Sequence, residues 1–338
     1  MIRFAGQRLA LGALVVVGVV VLTFLIARVI PGDPAATYAG PRASRAQLEQ
    51  TRKQLGLDKP VIVQLGDYLK GIGEGDWGTS YRTKRPVLDD LKTVLPASIE
   101  LVTAGLLLAL LVGLPLGLVS ARYHGGVPDV LVRVAAVVGV SMPVFWAALI
   151  LQLVFAQRLG WLPSAGEYDP NLYYTSPLTS YVQMPVVDAL ITGNLPVLQS
   201  ALSHLILPAT VVALYPAGLL ARMVRASVLD TLGETHIRMA RSLGFGDRAV
   251  FGRWALRPAM NPVVQVTALV FAYSLANTFL VEAVFDWPGL GSYAANSLQA
   301  LDTPAVVGVT LVVAIVYVVL NLVVDVAQAA IDPRIRLR

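Results

Sequence analysis

The chain has 338 residues, of which 56% are hydrophobic and only 14% charged, with a formal net charge of +5 and no cysteine. Soluble domains carry roughly 25% charged residues, and here the apolar residues gather into long runs, which places the chain in a membrane rather than in water. Without cysteine, disulfides, iron–sulfur clusters and thiolate chemistry are all excluded.

Six apolar segments predict an all-α, polytopic membrane protein with six transmembrane helices and both termini in the cytoplasm. The first runs from Leu9 to about Val29, roughly 31 Å of helix and enough to cross a bilayer. Arg3 and Arg8 precede it and hold the N-terminus inside. The run is too long for a signal peptide, and IARVIPGDPAA offers no small-x-small cleavage site. Residues 1–30 are therefore expected to form a retained span.

Residues 31–95 are polar and rich in Gly and Pro, with ten Lys or Arg interspersed with acids. Long translocated segments weigh little in the positive-inside count, so this stretch is expected outside, as a small α-helical subdomain. The remaining residues, 96–338, make a five-helix core. Its spans are expected over about Ile99–Val119 and Val130–Leu153, joined by a cytoplasmic turn at Arg122-Tyr123-His124-Gly125-Gly126. An external insertion at 156–200 follows, in which VVDALITGNLPVLQSAL predicts an interfacial helix.

The fourth span, about His204–Leu220, is predicted to be short and broken by Pro208, Pro216 and Gly218. Breaks of that kind survive where neighbouring helices or a cavity satisfy the freed carbonyls, so this helix is expected to line a pathway. The fifth, about Pro262–Phe285, is the most polar, and the sixth runs from Ala305 to about Ala327 with Asn321 and Asp325. The tail DPRIRLR returns to the cytoplasm.

Between the fourth and fifth spans, residues 222–262 hold seven arginines, one histidine and no lysine. A short basic loop faces the cytoplasm, and alone it fixes topology or lies on the membrane surface. This one also has internal order. Arg238-Met239-Ala240-Arg241-Ser242-Leu243-Gly244 reads as a helix, Phe245-Gly246-Asp247 interrupts it, and a second helical pattern continues through Leu256. Ala240 and Gly244 lie four apart, which puts two small residues on one face for a partner's close approach. Phe245 is an anchor of the pocket-filling type.

No Gly-x4-Gly-Lys-Ser/Thr loop occurs, so the chain does not bind ATP by that route. His124, His204 and His236 have no metal-binding spacing. Ser141, in VSMPVF, has no nucleophile elbow and no His–Asp partners. No catalytic residue, metal site or cofactor is expected in this chain.

The basic loop resembles the cytoplasmic signature of ABC importer permeases, in which Glu-Ala-Ala is followed after three residues by Gly. The stretch His236-Ile237-Arg238-Met239-Ala240-Arg241-Ser242-Leu243-Gly244 is most similar to the dipeptide/oligopeptide/nickel branch, and specifically to its first permease subunit. It differs from that branch at His236, Leu243 and Pro258. Further pieces fall in family order: Pro31-Gly32-Asp33-Pro34, Leu55-Gly56-Leu57-Asp58-Lys59-Pro60, Gly75-Asp76-Trp77-Gly78-Thr79-Ser80, Leu159-Gly160-Trp161-Leu162-Pro163, Phe285-Asp286-Trp287-Pro288-Gly289-Leu290-Gly291 and Asp332-Pro333-Arg334-Ile335-Arg336.

The resemblance implies a permease subunit of an ATP-driven importer of dipeptides or short oligopeptides in the bacterial inner membrane. Its partners would be a second homologous permease, two ATPase subunits that bind ATP and Mg, and an external peptide-binding protein. Coupling to the ATPases would fall to residues within 222–258, namely His236, Arg238, Ala240, Arg241, Gly244, Phe245, Gly246 and Asp247. Gln265, Tyr273 and Asn277 share a face and either line the path or join helices by hydrogen bonds. Glu282 is either a partnered carboxylate or a gate that meets a peptide's amino terminus. Asp325 reads as a packing or partner contact. Import of a nickel chelate, haem or glutathione by the same architecture stays open, as does an ion-coupled secondary transporter, although the inverted repeats expected of the latter are not evident.

Overall fold

The computed structural model describes residues 2–29, 33–40 and 42–331. Pro31-Gly32, the ending Asp332–Arg336 and the side chain of Asp325 lie outside the described residues. Among those described there is no β-strand, only one antiparallel bridge between Thr79 and Pro86. In chain order the helices are α1 (Ile2–Val29), α2 (Pro34–Ala39), α3 (Arg45–Gln54), α4 (Val61–Glu74), α5 (Val87–Arg122), α6 (Val127–Ser141), α7 (Val144–Leu151), α8 (Leu172–Thr175) and α9 (Pro185–Thr192). They continue with α10 (Leu195–Leu232), α11 (Thr235–Ser242), α12 (Asp247–Ala249), α13 (Leu256–Asn277), α14 (Phe279–Val284), α15 (Leu290–Gln299) and α16 (Thr303–Ile331).

All six apolar segments are helical, but their limits differ from the sequence expectation in four places. First, α5 starts at Val87, so VLDDLKTVLP belongs to the helix rather than to a polar subdomain. Asp89 and Asp90 in its first turn complement the positive end of the helix dipole. Second, the third apolar run is two helices bent by 103°. Pro143 has no N–H to donate and holds Met142 in an extended conformation (ψ 127°), which ends α6.

Third, Pro208, Pro216 and Gly218 do not break the fourth segment. They are buried inside the 38 residues of α10, which begins at Leu195. The interfacial-helix stretch divides instead at Gly193 (φ 68°), and the Asn194 side chain then caps α10 by accepting from Val197 N–H. Fourth, the fifth segment runs from a π-helical turn at Val250–Ala255 into α13 and stops at Thr278, before the short α14.

Among the described residues, three helices are long and apolar enough to cross a membrane: Val87–Arg122, Leu195–Leu232 and Thr303–Val323. The bent α6–α7 pair makes a fourth if it counts as one span, and Ala10–Ile26 and Pro262–Leu275 are shorter apolar helices. Large apolar side chains such as Leu14, Leu22, Leu107, Leu111, Leu131 and Val134 stand exposed on these helices. Water does not tolerate such continuous faces; lipid or a partner's helices do.

The chain divides into two compact units, one of residues 1–98 with 288–338 and one of residues 99–287. In the first, α1 lies along α16 so closely that a Cβ on Gly12 would meet Val318 Cγ1 at 2.4 Å. Val20, Phe24, Val307 and Leu311 form its core with Leu65, Tyr68 and Leu69 of α4. A second cluster packs Val87 and Leu91 against Leu290, Tyr293, Ala305 and Val309. Between elements, buried Asp302 accepts from Ser80 Oγ (2.5 Å), Arg82 N–H (3.1 Å) and Ala305 N–H (3.3 Å).

The second unit is organised around α10. Gly113 and Gly117 of α5 face it, and Cβ atoms there would come within 2.8 Å of Ala217 O and 2.7 Å of Ala221 O. Gly218 of α10 approaches Ala136 O of α6 equally closely, at 2.8 Å. Small residues four apart let helix backbones touch, which matters in a membrane because lipid tails supply no hydrophobic force between helices. The core here is Ala109, Ala121, Ala213, Leu220, Val224, Val228, Ala259 and Val263.

Candidate functional site

Two places in the second unit hold the residues singled out from sequence. The first is the element after α10. Leu232 ends that helix, Gly233 and Glu234 turn the chain, and α11 follows. Ile237 and Ala240 are buried against Val250 and Ala255, with Leu232 and Trp254 beside them. Ala240 therefore anchors α11 from within, and it does not form a shared small face with Gly244 as the four-residue spacing had suggested. Gly244 lies beyond the helix, at φ 85°.

The local chain ending explains this. Phe245 N–H donates to Ala240 O (3.2 Å) and Gly244 N–H donates to Arg241 O (3.0 Å). Those two bonds form a Schellman motif, which requires a left-handed residue at the position of Gly244. The turn throws Phe245 outward over Trp254, with ring centroids 5.6 Å apart. Every residue from Arg241 to Ala249 is exposed.

Apolar Met239 (61% exposed), Leu243 (66%) and Phe245 (45%) sit among Arg238, Arg241 and Arg248. Sequence reasoning singled out Phe245 and passed over Met239 and Leu243, which stand exposed with it. Their spacing from buried Ile237 and Ala240 on α11 was the available signal. His236 lies at the base of that surface with 36% of its side chain exposed. Its Nδ1 lies 3.0 Å from Glu234 Oε2, and its Nε2 lies 3.3 Å from Trp254 O, bracing the element's base. Gly246 and Asp247 start α12, and both are exposed.

The second place is a cavity of about 50 Å³ lined by Val144, Val211, Val212, Tyr215, Pro216, Tyr273, Ser274, Asn277, Thr278 and Val281. It sits where the α6–α7 bend, the proline of α10 and the α13–α14 break meet. Tyr273 is half exposed and stacks obliquely on Tyr215, at 5.5 Å between centroids. Asn277 Nδ2 donates to Tyr273 O (2.8 Å). Tyr273 and Asn277 are thus brought together, while Gln265 and Glu282 do not line this cavity. Glu282 is fully buried, and Thr278 Oγ1 donates to its Oε1 (3.0 Å). Tyr215, unpredicted from sequence, is the ring that completes the lining.

Beside these, the segment between α7 and α10 is ordered around two carboxyls. Asp188 is buried and accepts from Ser180 Oγ and from Tyr181, Val182 and Met184 N–H. Burial works to raise its pKa, but these donors together hold it below the ordinary carboxylate value. Glu167 goes the other way: burial, with the charge of Glu100 added, pushes it up to about 7. Among the described residues no group of three or more His, Cys, Asp or Glu could hold a metal ion.

Comparison with known proteins places these features. Residues 113–337 match the family described as binding-protein-dependent transport system inner membrane component, and residues 1–102 match its N-terminal membrane-component family. A probable D,D-dipeptide transport system permease protein of Escherichia coli K12 is 45% identical over 95% of this chain and 94% of its own length. A dipeptide transport system permease protein of Alkalihalophilus pseudofirmus is 38% identical over 99% of this chain and 100% of its own. The dipeptide transport system permease protein of E. coli K12 is 35% identical over 99% of each. The chain belongs to the family of inner membrane components of binding-protein-dependent transport systems.

Proposed function

We propose that this chain is the first of two homologous permease subunits in an ATP-driven importer of dipeptides or short oligopeptides. It crosses the bacterial inner membrane six times with both termini in the cytoplasm. The stretch from 31 to 95 and the insertion at 156–200 lie outside. Two ATPase subunits bind ATP and Mg, and an external binding protein delivers the peptide. The cargo reading is supported by relatives known as dipeptide transport system permeases, which align over nearly their whole length.

The observation that carries the mechanism is the Schellman-ended α11. Its inner face is locked to the π-helical turn, and its outer face offers Met239, Leu243 and Phe245 among arginines. Such an element can be pushed by a partner without unfolding, because its own core does not depend on the contact. ATPase closure on ATP displaces residues 236–247, α10 and α13 carry the displacement, and the cavity at Tyr273 and Asn277 opens outward. Hydrolysis returns it inward. The element transmits work only if it fits the two ATPase states differently.

The test is uptake of a labelled dipeptide by the assembled complex in proteoliposomes. ATP-dependent uptake that disappears with Gly244→Asp is expected. Uptake driven by an ion gradient without ATP would overturn the reading, and competition by a nickel chelate, haem or glutathione in the same assay would reassign the cargo.

A further inference from the structure

One buried charged cluster in the second unit has no part in the coupling surface or the cavity. Asp129, 1% exposed, sits in the first turn of α6. Its Oδ1 accepts from Ser120 Oγ (2.5 Å) and Arg225 Nε (2.7 Å), and its Oδ2 accepts from Gly125 N–H (3.0 Å) and Arg225 Nη2 (3.0 Å). His124 Nδ1 (3.5 Å) and Arg133 Nε (3.6 Å) stand at its rim. The same Arg225 Nη2 lies 2.9 Å from His124 Nδ1. One carboxylate thus ties the end of α5, the following turn, the start of α6 and, through a residue 96 positions away, α10.

The chemistry of this junction is specific. A guanidinium fork on both oxygens of a carboxylate fixes orientation as well as distance, which a sliding apolar contact does not. Burying a carboxylate such as Asp129 against an Arg225 that stays 21% exposed carries a desolvation cost, and apolar residues of similar volume often stabilise a fold as well. Stability alone therefore gives little reason for the pair to stand there. Its position gives one. Arg225 lies seven residues before Leu232, whose side chain packs on α11. From Asp129, α6 runs to the Met142-Pro143 bend, beyond which Val144 lines the cavity with Tyr215 and Pro216.

We infer that Asp129 and Arg225 are positioning residues for transport: they clamp α5, α6 and α10 so that a displacement arriving through α11 reaches the α6–α7 bend. This rests on the proposed role of α11 as the coupling element. The close approach of Gly218 to Ala136 sets how near α10 and α6 lie but does not fix their relative orientation as a two-pronged ion pair does. With the fork closed, rotation of the end of α10 must drag α6 along, and the bend is where that helix pair yields. Arg225→Lys keeps the charge but loses the fork, so it isolates orientation from electrostatics.

The experiment measures dipeptide uptake and ATP hydrolysis side by side in proteoliposomes holding the complete complex, with Asp129→Asn, Arg225→Lys, the exchange Asp129→Arg with Arg225→Asp, and Gly244→Asp as a reference. The expected result is continued ATP hydrolysis with uptake per ATP lowered about fivefold or more in both single variants, within the range of allosteric coupling. The exchanged pair should regain part of that ratio. Unchanged uptake per ATP in Arg225→Lys overturns the clamp, and that variant decides the matter if Asp129→Asn fails to assemble. If Gly244→Asp also leaves uptake intact, the coupling role of α11 falls, whereas loss in Gly244→Asp with normal Arg225→Lys removes the clamp alone.

Discussion

Replacing Gly244 with alanine isolates the backbone requirement of the proposed coupling element from its surface. A Cβ at Gly244 meets nothing within 4 Å, so no steric clash contributes. What remains is the conformation: φ is 85°, in the left-handed region, and an L-residue there costs about 1–2 kcal/mol. The strain falls on the two Schellman bonds, from Phe245 N–H to Ala240 O and from Gly244 N–H to Arg241 O. A penalty of that size changes a local opening equilibrium by about 5–30-fold. Hydrogen exchange at the Phe245 amide, followed in the detergent-solubilised complex, reads that equilibrium directly. Gly246 is the internal control: it is also open on all sides but has φ −66°, so Gly246→Ala should leave protection unchanged. Gly244→Asn should lie between glycine and alanine, because asparagine tolerates the left-handed region. Equal protection in Gly244→Ala and the parent, or equal loss in both alanine variants, would refute the argument.

The other predictions concern surface, packing and pH. Phe245→Ala and Leu243→Ser each remove an exposed anchor without touching the α11 core; each should weaken ATPase docking by about 2 kcal/mol, the threshold for an interface hot spot, in a binding titration with the purified ATPases. Gly117→Ala sets a Cβ 2.7 Å from Ala221 O, a backbone atom that cannot yield, and should cost about 1–3 kcal/mol of thermal stability, whereas Gly18→Ala, with nothing nearby, should cost none. Asp302→Ala strips a buried carboxylate from Ser80, Arg82 and Ala305; at about 1.5–3 kcal/mol per hydrogen bond to a charged group, limited proteolysis should expose residues 79–86 first. Glu167, pushed up to about 7 by burial and then by the charge of Glu100, binds its proton more tightly folded than unfolded. Packing of its segment should therefore be firmest below about pH 4.5, loosen as pH rises toward 7, and stay level above. Hydrogen exchange over residues 160–180 should show that slope, and Glu167→Gln should abolish it.

The parts of this molecule that were legible in sequence are those written in consecutive residues. Apolar runs gave six helical segments, and Gly244 announced the end of α11. What escaped was set by groups distant in the chain or by the strength of packing over local preference. Pro208 and Pro216 signal breaks, yet α10 runs through both because α5, α6 and α13 pack around it. Pro143 carries the same signal inside an equally apolar run and does end a helix, since Met142 before it turns extended. The difference between these prolines lies in their surroundings, which the sequence does not print. By sequence Val87–Asp90 groups with the polar external subdomain, but its acids are first-turn residues of α5, and Asp90 is buried under Tyr293 and Thr83. The Asp129–Arg225 fork joins residues 96 positions apart, and no local pattern marks either. Gly113 and Gly117 stand four apart in GLPLG, but only the contact with Ala217 and Ala221 identifies the helix they meet.

The second unit combines a soft middle with a stiff end, and a transport cycle needs both. Around the cavity, two elements are interrupted, α6–α7 at Pro143 and α13–α14 at Thr278, while Pro216 withdraws one backbone donor within a continuous α10. Irregular backbone at membrane depth persists only where it borders protein or a cavity, so these interruptions mark the level at which the helices can change direction at little cost. At the other end of the same helices the construction reverses. There α11 is locked by a buried apolar cluster and by the glycine ending, and α10 is tied to α5 through the close approach of Gly117 to Ala221 and to α6 by a charged fork. On the proposed coupling role, force entering at Phe245 and Leu243 meets a body that does not deform until it reaches the interrupted level. Stiffening that level should uncouple transport from a docking event that still occurs. Pro143→Ala, which restores a donor at the α6–α7 bend, should leave ATPase binding unchanged and lower uptake; unchanged uptake would mean that the bend is architecture and not a hinge.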